Sequence, residues 1–163
     1  LDKTGTITRG EPALTDMLPE PPFSEDELLR LAASAERGSE HPLGEAIVRA
    51  AQERGLSLSE PTGFNAVAGH GIEVTVDGHA LLLGNAKLMR DRGVPFDGVE
   101  ARAAELAERG KTPMFAAVDG RFAGVLAVAD PVKPESKEAI ADMRRMGLEV
   151  VMVTGDNRRT AEA

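Results

Sequence analysis

Cysteine, tryptophan and tyrosine are absent from the 163 residues. Without thiols there is no disulfide, no thiolate nucleophile and no cysteine-built zinc site. The three histidines, His41, His70 and His79, have no metal-ligand spacing. Basic charge is also in deficit, with 19 Lys and Arg against 27 Asp and Glu for a net charge of −8. The longest basic runs are the pairs Arg144-Arg145 and Arg158-Arg159, so a nucleic-acid backbone finds no electrostatic footprint and is excluded as an expected partner. Long apolar runs are lacking too: 125–129 and 150–153 fall far short of the ~20 residues that cross a bilayer. No Met-initiated signal peptide opens the chain. It starts at Leu1-Asp2-Lys3-Thr4-Gly5-Thr6, which reads as a strand end and suggests an internal piece of a longer protein.

What is present is ordinary helix and strand punctuation. Pro19-Glu20-Pro21-Pro22 reads as a linker. Ser24 and Glu27 form a capping box ahead of an apolar helical face that ends near Gly38. Pro42 suits a first helical position, and that helix should stop at Gly55. Helices are also expected over 86–92, 99–109 and 134–146, each followed by glycine. Asp77-Gly78 and Asp119-Gly120 are type I′ turn signals, predicting hairpins of 72–76 with 79–83 and of 114–118 with 121–128. The middle of the chain therefore reads as an antiparallel sheet with helices packed on it.

The ends read differently. The run Val150-Val151-Met152-Val153, closing in Thr154-Gly155-Asp156, has the pattern of a buried parallel strand with a polar loop at its carboxyl end. Leu1-Asp2 suits a neighbouring strand of the same sheet, which makes the middle an insertion. Asp2 and Thr154 would then lie at adjacent strand ends, where open α/β sheets place their ligands. A carboxylate nucleophile, hydroxyls and the N–H groups of glycine-bearing loops can together hold a phosphoryl group and accept it as an acyl phosphate. Read in isolation, such strings are for the most part caps or turns.

Asp2-Lys3-Thr4-Gly5-Thr6 resembles the phosphorylation signature of P-type ATPases, and Thr154-Gly155-Asp156-Asn157 resembles their second phosphate-site motif. The resemblance implies that Asp2 receives the γ-phosphate of ATP, with Lys3 and Asp156 in the same catalytic set. It further implies that Asp2 and the Thr4 backbone hold Mg²⁺ while Thr154 and Gly155 hold phosphoryl oxygens. Related haloacid-dehalogenase-type phosphatases carry a second Asp two positions after the nucleophile, where this chain has Thr4. Lacking a resident base to activate water, such a site keeps its aspartyl phosphate longer.

Glu36, Ser39-Glu40-His41-Pro42, Gly69-His70-Gly71 and Gly84-Asn85 resemble the nucleotide-binding domain of the heavy-metal branch of these pumps. The resemblance implies that Glu36, His41, Gly69, Gly71 and Asn85 contact ATP or ADP. Local alternatives stand beside each role: His41 and Asn85 are also helix caps, and Gly69-His70-Gly71 also a bend at a strand start. With no Trp or Tyr and five Phe, adenine is expected to be recognised by histidine and backbone rather than clamped between large aromatics. Gly110-Lys111-Thr112 is not a P-loop, because position 105 is Glu. Asp130-Pro131 resembles the family's element at re-entry into the phosphorylation domain, and is equally a strand-ending turn.

The implied fold is α/β: an α+β nucleotide-binding domain inserted in a truncated haloacid-dehalogenase-like, Rossmann-type phosphorylation domain. Its expected bounds are 1–15 and 123–163 for the phosphorylation domain and 16–122 for the insertion. The implied parent is an ATP-driven metal pump, with copper(I) export the first choice from Ser39-Glu40-His41-Pro42-Leu43. This chain would be its cytoplasmic portion, working with the remaining domains, the membrane helices and a copper chaperone acting on the parent. The alternatives are a soluble aspartate-nucleophile phosphatase and a nucleotide-binding module without chemistry.

Overall fold

In a computed structural model, residues 1–154 are described. Six strands, β1 (Ala13–Pro19), β2 (Thr62–Val67), β3 (Gly71–Val76), β4 (His79–Gly84), β5 (Thr112–Val118) and β6 (Arg121–Ala129), form one antiparallel sheet in the order β1-β6-β5-β4-β3-β2. The two predicted hairpins are its centre. Asp77 and Asp119 take φ of 51° and 49° and are followed by Gly78 and Gly120 at 79° and 77°, the pair of positive angles that a type I′ turn requires.

Helices cover both faces. On one lie α1 (Glu25–Ala35) and α2 (Pro42–Glu53), whose Leu28, Leu29, Ala32 and Ile47 pack on Val74, Val76, Leu83 and Leu126. On the other lie α3 (Ala86–Asp91) and α4 (Glu100–Glu108), burying Leu88, Met89 and Leu106 against Phe115, Val125 and Ala127. Alternate residues of β5 thus serve opposite cores. In β6 a bulge against Ala116 and Ala117 shifts the alternation, so that Ala123 faces α1 and α2 while Phe122 and Val125 face away. The capping box of Ser24 and Glu27 is formed, and Pro42 opens α2.

Two expectations change. The expected linker at 19–22 is a turn inside the insertion: Pro19 ends β1, and Glu20 N–H donates to Ala123 O at 2.9 Å. The expected domain bounds at 15/16 and 122/123 fall within paired strands, Asp16 opposite Ala127 and Phe122 opposite Ala117. The sheet itself runs from Ala13 to Ala129. Finally, the expected buried strand at 150–153 is a single parallel bridge between Asp2 and Val153. Val151 and Val153 are 61% and 67% exposed, since among the described residues no layer covers them. Helix α5 (Pro134–Arg145) precedes this segment and buries only Ser136.

Candidate functional site

Three connections, α1–α2, β2–β3 and β4–α3, converge at one end of the sheet. Helix α1 ends at Glu36, Ser39 N–H donates to Glu36 O at 2.8 Å, and Gly38 adopts φ 86° to make the reversal into α2. Glu36 and His41 are thereby carried to the same place from the end of one helix and the start of the next. Opposite them, His70 N–H donates to Val67 O and Asn85 N–H to His70 O, tying the β2–β3 turn to the β4–α3 junction. Gly71 faces Gly84 across the ladder. A Cβ on Gly71 would overlap Leu83 O, and one on Gly84 would overlap His70 O. Only glycine permits that approach.

The result is a cavity of about 540 Å³ whose lining contains Glu36, His41, Gly69, Gly71 and Asn85, all five residues expected to contact nucleotide. Its volume falls within the range of small-molecule sites. Its apolar wall includes Phe64, Ala66, Ile72, Leu83 and Met114. Phe64 was not among the residues expected at the site, which were named without strand β2; the wall holds this one phenylalanine ring and no pair of them.

Each polar group has a defined state. Glu36 is only 5% exposed, and burial holds its carboxyl above the ordinary carboxylate range, opposed by a hydrogen bond with Ser39 and by the charge of His41. A Cβ on Gly44 would overlap the Glu36 carboxylate, so the first turn of α2 packs directly on that group. His41 caps α2: its Nδ1 accepts from Leu43 N–H at 3.2 Å, and its own N–H donates to Ser39 Oγ at 3.2 Å. With Nδ1 engaged by the cap, Nε2 is the ring nitrogen left to meet a ligand. Asn85 is engaged at both ends of its amide. Its Oδ1 accepts from Leu88 N–H at 3.0 Å and its Nδ2 donates to Gly69 O at 3.0 Å, so it braces the glycine turn while capping α3.

The second cluster surrounds Asp2. Val153 N–H donates to Leu1 O at 2.7 Å and Lys3 N–H to Val153 O at 3.1 Å, bringing Asp2 and Thr154 onto neighbouring segments. Residues 3–7 form a turn closed by Thr8 N–H on Lys3 O at 3.0 Å, with Gly5 at φ 79°. The chain returning from β6 clamps it. Asp130 accepts from Thr8 Oγ1 at 2.6 Å and from Gly10 N–H at 2.9 Å, Lys133 Nζ donates to Gly5 O at 2.7 Å, and Ser136 Oγ donates to Ile7 O at 2.9 Å. The Asp130-Pro131 element thus holds the signature turn in position as well as ending a strand. Gly155 and Asp156 lie outside the described residues.

Residues 1–163 match the haloacid dehalogenase-like hydrolases. The chain belongs to that family. This haloacid dehalogenase-like chain is 48% identical, over all of its 163 residues, to the copper-exporting P-type ATPase of Bacillus subtilis (strain 168). It covers 20% of that protein, and so spans about a fifth of the length of the curated relatives it matches. Among solved structures, a zinc-transporting PIB-type ATPase in the E2.Pi state superposes with TM-score 0.86 at 36% identity, over 98% of this chain and 26% of that one. The N-domain of a copper-transporting P-type ATPase superposes with TM-score 0.62 at 28% identity, over 72% of this chain and 98% of that domain. Within its family, then, this haloacid dehalogenase-like chain resembles heavy-metal P-type ATPases throughout.

Proposed function

We propose that this chain is the nucleotide-binding and phosphorylation-site part of an ATP-driven heavy-metal pump, that the pump exports copper, and that Asp2 carries its aspartyl phosphate. The observation that carries the reading is the convergence of Glu36, His41, Gly69, Gly71 and Asn85 on one cavity, beside a separately braced Asp2 turn. In this reading residues 13–129 hold ATP or ADP, and the segments on either side form the phosphorylation domain.

The roles follow from the groups present. His41 Nε2–H and the open left-handed backbone at Gly69, where a Cβ would meet nothing within 4 Å, offer donors to nucleotide oxygens and ring nitrogens. An Asp2 carboxylate oxygen attacks the γ-phosphorus in line, its bond to phosphorus forms as the bond to the bridging oxygen breaks, and ADP leaves with that electron pair. Asp2 and the Thr4 carbonyl are hard oxygen donors that fit Mg²⁺, which takes one or two protein oxygens and completes its shell with phosphates and water. The ion would supply charge neutralisation between carboxylate and phosphates. Thr4, in place of a second carboxylate, provides no base for water, which favours a lasting phosphoenzyme over phosphatase turnover.

Copper is the proposed cargo because the relatives near 48% identity are copper pumps, whereas the zinc-transporting structure stands at 36%. The same reading makes the chain a cytoplasmic portion of a membrane protein and gives the parent a copper chaperone as donor. Among the described residues no helix is long and apolar enough to cross a membrane.

Calorimetric titration with ATP and GTP tests the cavity. ATP should bind in preference to GTP, and His41→Ala should weaken it about tenfold, the worth of one good hydrogen bond. His41→Ser restores the helix cap without the ring and should stay weak, separating recognition from capping. In the full-length parent, Asp2→Asn should abolish acid-stable phosphoenzyme; phosphoenzyme that survives this change refutes the pump reading.

A further inference from the structure

Three of the five phenylalanines, Phe96, Phe115 and Phe122, pack on one another with ring centroids 5.3, 6.1 and 6.3 Å apart, and Phe23 packs against the other core. Phe64 does neither and is 55% exposed. A lone exposed apolar residue is ordinary on a surface, but Phe64 has a built position. Thr62 pairs with Thr75 and Asn65 with Glu73, so Gly63 and Phe64 together oppose the single residue Val74 in a bulge. Gly63 sits there at φ 61°. Bulges re-aim side chains, and this one sets Phe64 into the wall of the cavity that holds Glu36, His41 and Gly69. Edge strand β2 is exposed along nearly its whole length, so the fold draws little from the ring.

We infer that Phe64 is the base-stacking wall of the nucleotide site, receiving one face of the purine, an inference that rests on the nucleotide reading proposed above. The polar groups of the cavity can satisfy the edges of a base and its phosphates. The faces of a base need apolar cover, and Phe64 is the largest apolar side chain in the lining. A purine laid on it removes two flat apolar surfaces from water at once, in an offset or tilted stack. One aromatic wall, rather than a clamp of two, agrees with a chain that has neither Trp nor Tyr.

The test titrates the whole chain and its Phe64→Ala, Phe64→Leu and Phe64→Trp variants with ATP and with inorganic tripolyphosphate, which has no base. Thermal unfolding of each variant, run alongside, should stay near that of the unchanged chain because the ring is exposed. ATP affinity should fall about tenfold in Phe64→Ala, less in Phe64→Leu, and hold in Phe64→Trp. Tripolyphosphate affinity should be the same in all four. Since the chain has no other tryptophan, ATP should quench the fluorescence of the Phe64→Trp variant and tripolyphosphate should not. Unchanged ATP affinity in Phe64→Ala, or equal losses for ATP and tripolyphosphate, overturns the inference while leaving the nucleotide reading intact. Failure of the unchanged chain to bind ATP overturns both.

Discussion

Glu36 shows at the scale of one residue how a site can oppose the fold that holds it. Its carboxyl is almost fully covered, and burial raises its proton affinity above the ordinary value of 4.5. The folded chain therefore binds this proton more tightly than the unfolded chain does. Stability from this group is fully present below about pH 4.5 and is lost as pH rises through the raised value. At neutral pH the buried charge is a net liability, which Glu36→Gln should remove while keeping shape and the contact with Ser39. Unfolding free energies should coincide near pH 4 and diverge towards pH 8, with the Gln chain the more stable by roughly 1 kcal/mol or more. A difference that does not change with pH would show that the carboxyl keeps its ordinary proton affinity. That Glu36 lines a site with His41 was implied by the resemblance; its burial was not legible, because nothing in a one-dimensional string says that α2 will lay Gly44 against it. Asn85 illustrates the converse. The sequence offered it as a cap and, by resemblance, as a ligand contact; only the structure shows that the cap uses Oδ1 while Nδ2 is turned to Gly69 O.

At the scale of elements, the helices and the two central hairpins were legible because their ends carry local chemistry: a capping box, a proline at a first helical position, glycines after last turns, and Asp-Gly at each I′ turn. Strands β1 and β2 carry no such marks. β1 contains Asp16 and ends in Pro19, and its place in the sheet comes from pairing with β6, more than a hundred residues away. β2 is an edge with a bulge and an exposed pattern, so the period of two that identifies a half-buried strand is missing. The junction of β3 and β4 depends on the Gly71–Gly84 contact. Gly71 has φ 145° and its missing side chain faces Leu83 O, so Gly71→Ala meets both backbone strain and a collision with main chain that cannot move without breaking the ladder. Denaturant unfolding should show a loss of at least about 2 kcal/mol, with ATP affinity falling alongside because Gly69 and Asn85 are anchored at that junction. A loss below about 0.5 kcal/mol, the level of an ordinary surface change, would mean that the two strands separate easily there.

On the scale of the whole molecule, the two proposed chemistries would rest on separate supports. The cavity lining includes no residue of the Asp2 turn. The chain passes between the two only through the outgoing stretch at 9–12 and the return at 130–133, which are held side by side by Thr8 with Val132, Arg9 N–H on Pro131 O and Gly10 N–H on Asp130. Metal demand is divided in the same way. Glu36 is the only carboxylate in the cavity lining and is buried against α2, and among the described residues no group of three or more His, Cys, Asp or Glu could hold an ion. Asp2 and the Thr4 carbonyl would supply only part of the shell of the proposed Mg²⁺, whereas recognition of the nucleotide in the cavity should proceed through donors and apolar cover alone. Chelating Mg²⁺ with EDTA should leave the ATP affinity of this chain within about threefold, and in the full-length parent it should abolish phosphoenzyme formation on Asp2. Calorimetry of the chain and acid-stable labelling of the parent, run at matched ionic strength, read the two effects separately. If chelation weakens ATP binding as strongly as it blocks labelling, the phosphates are anchored through metal inside the cavity and the division between the two supports is wrong.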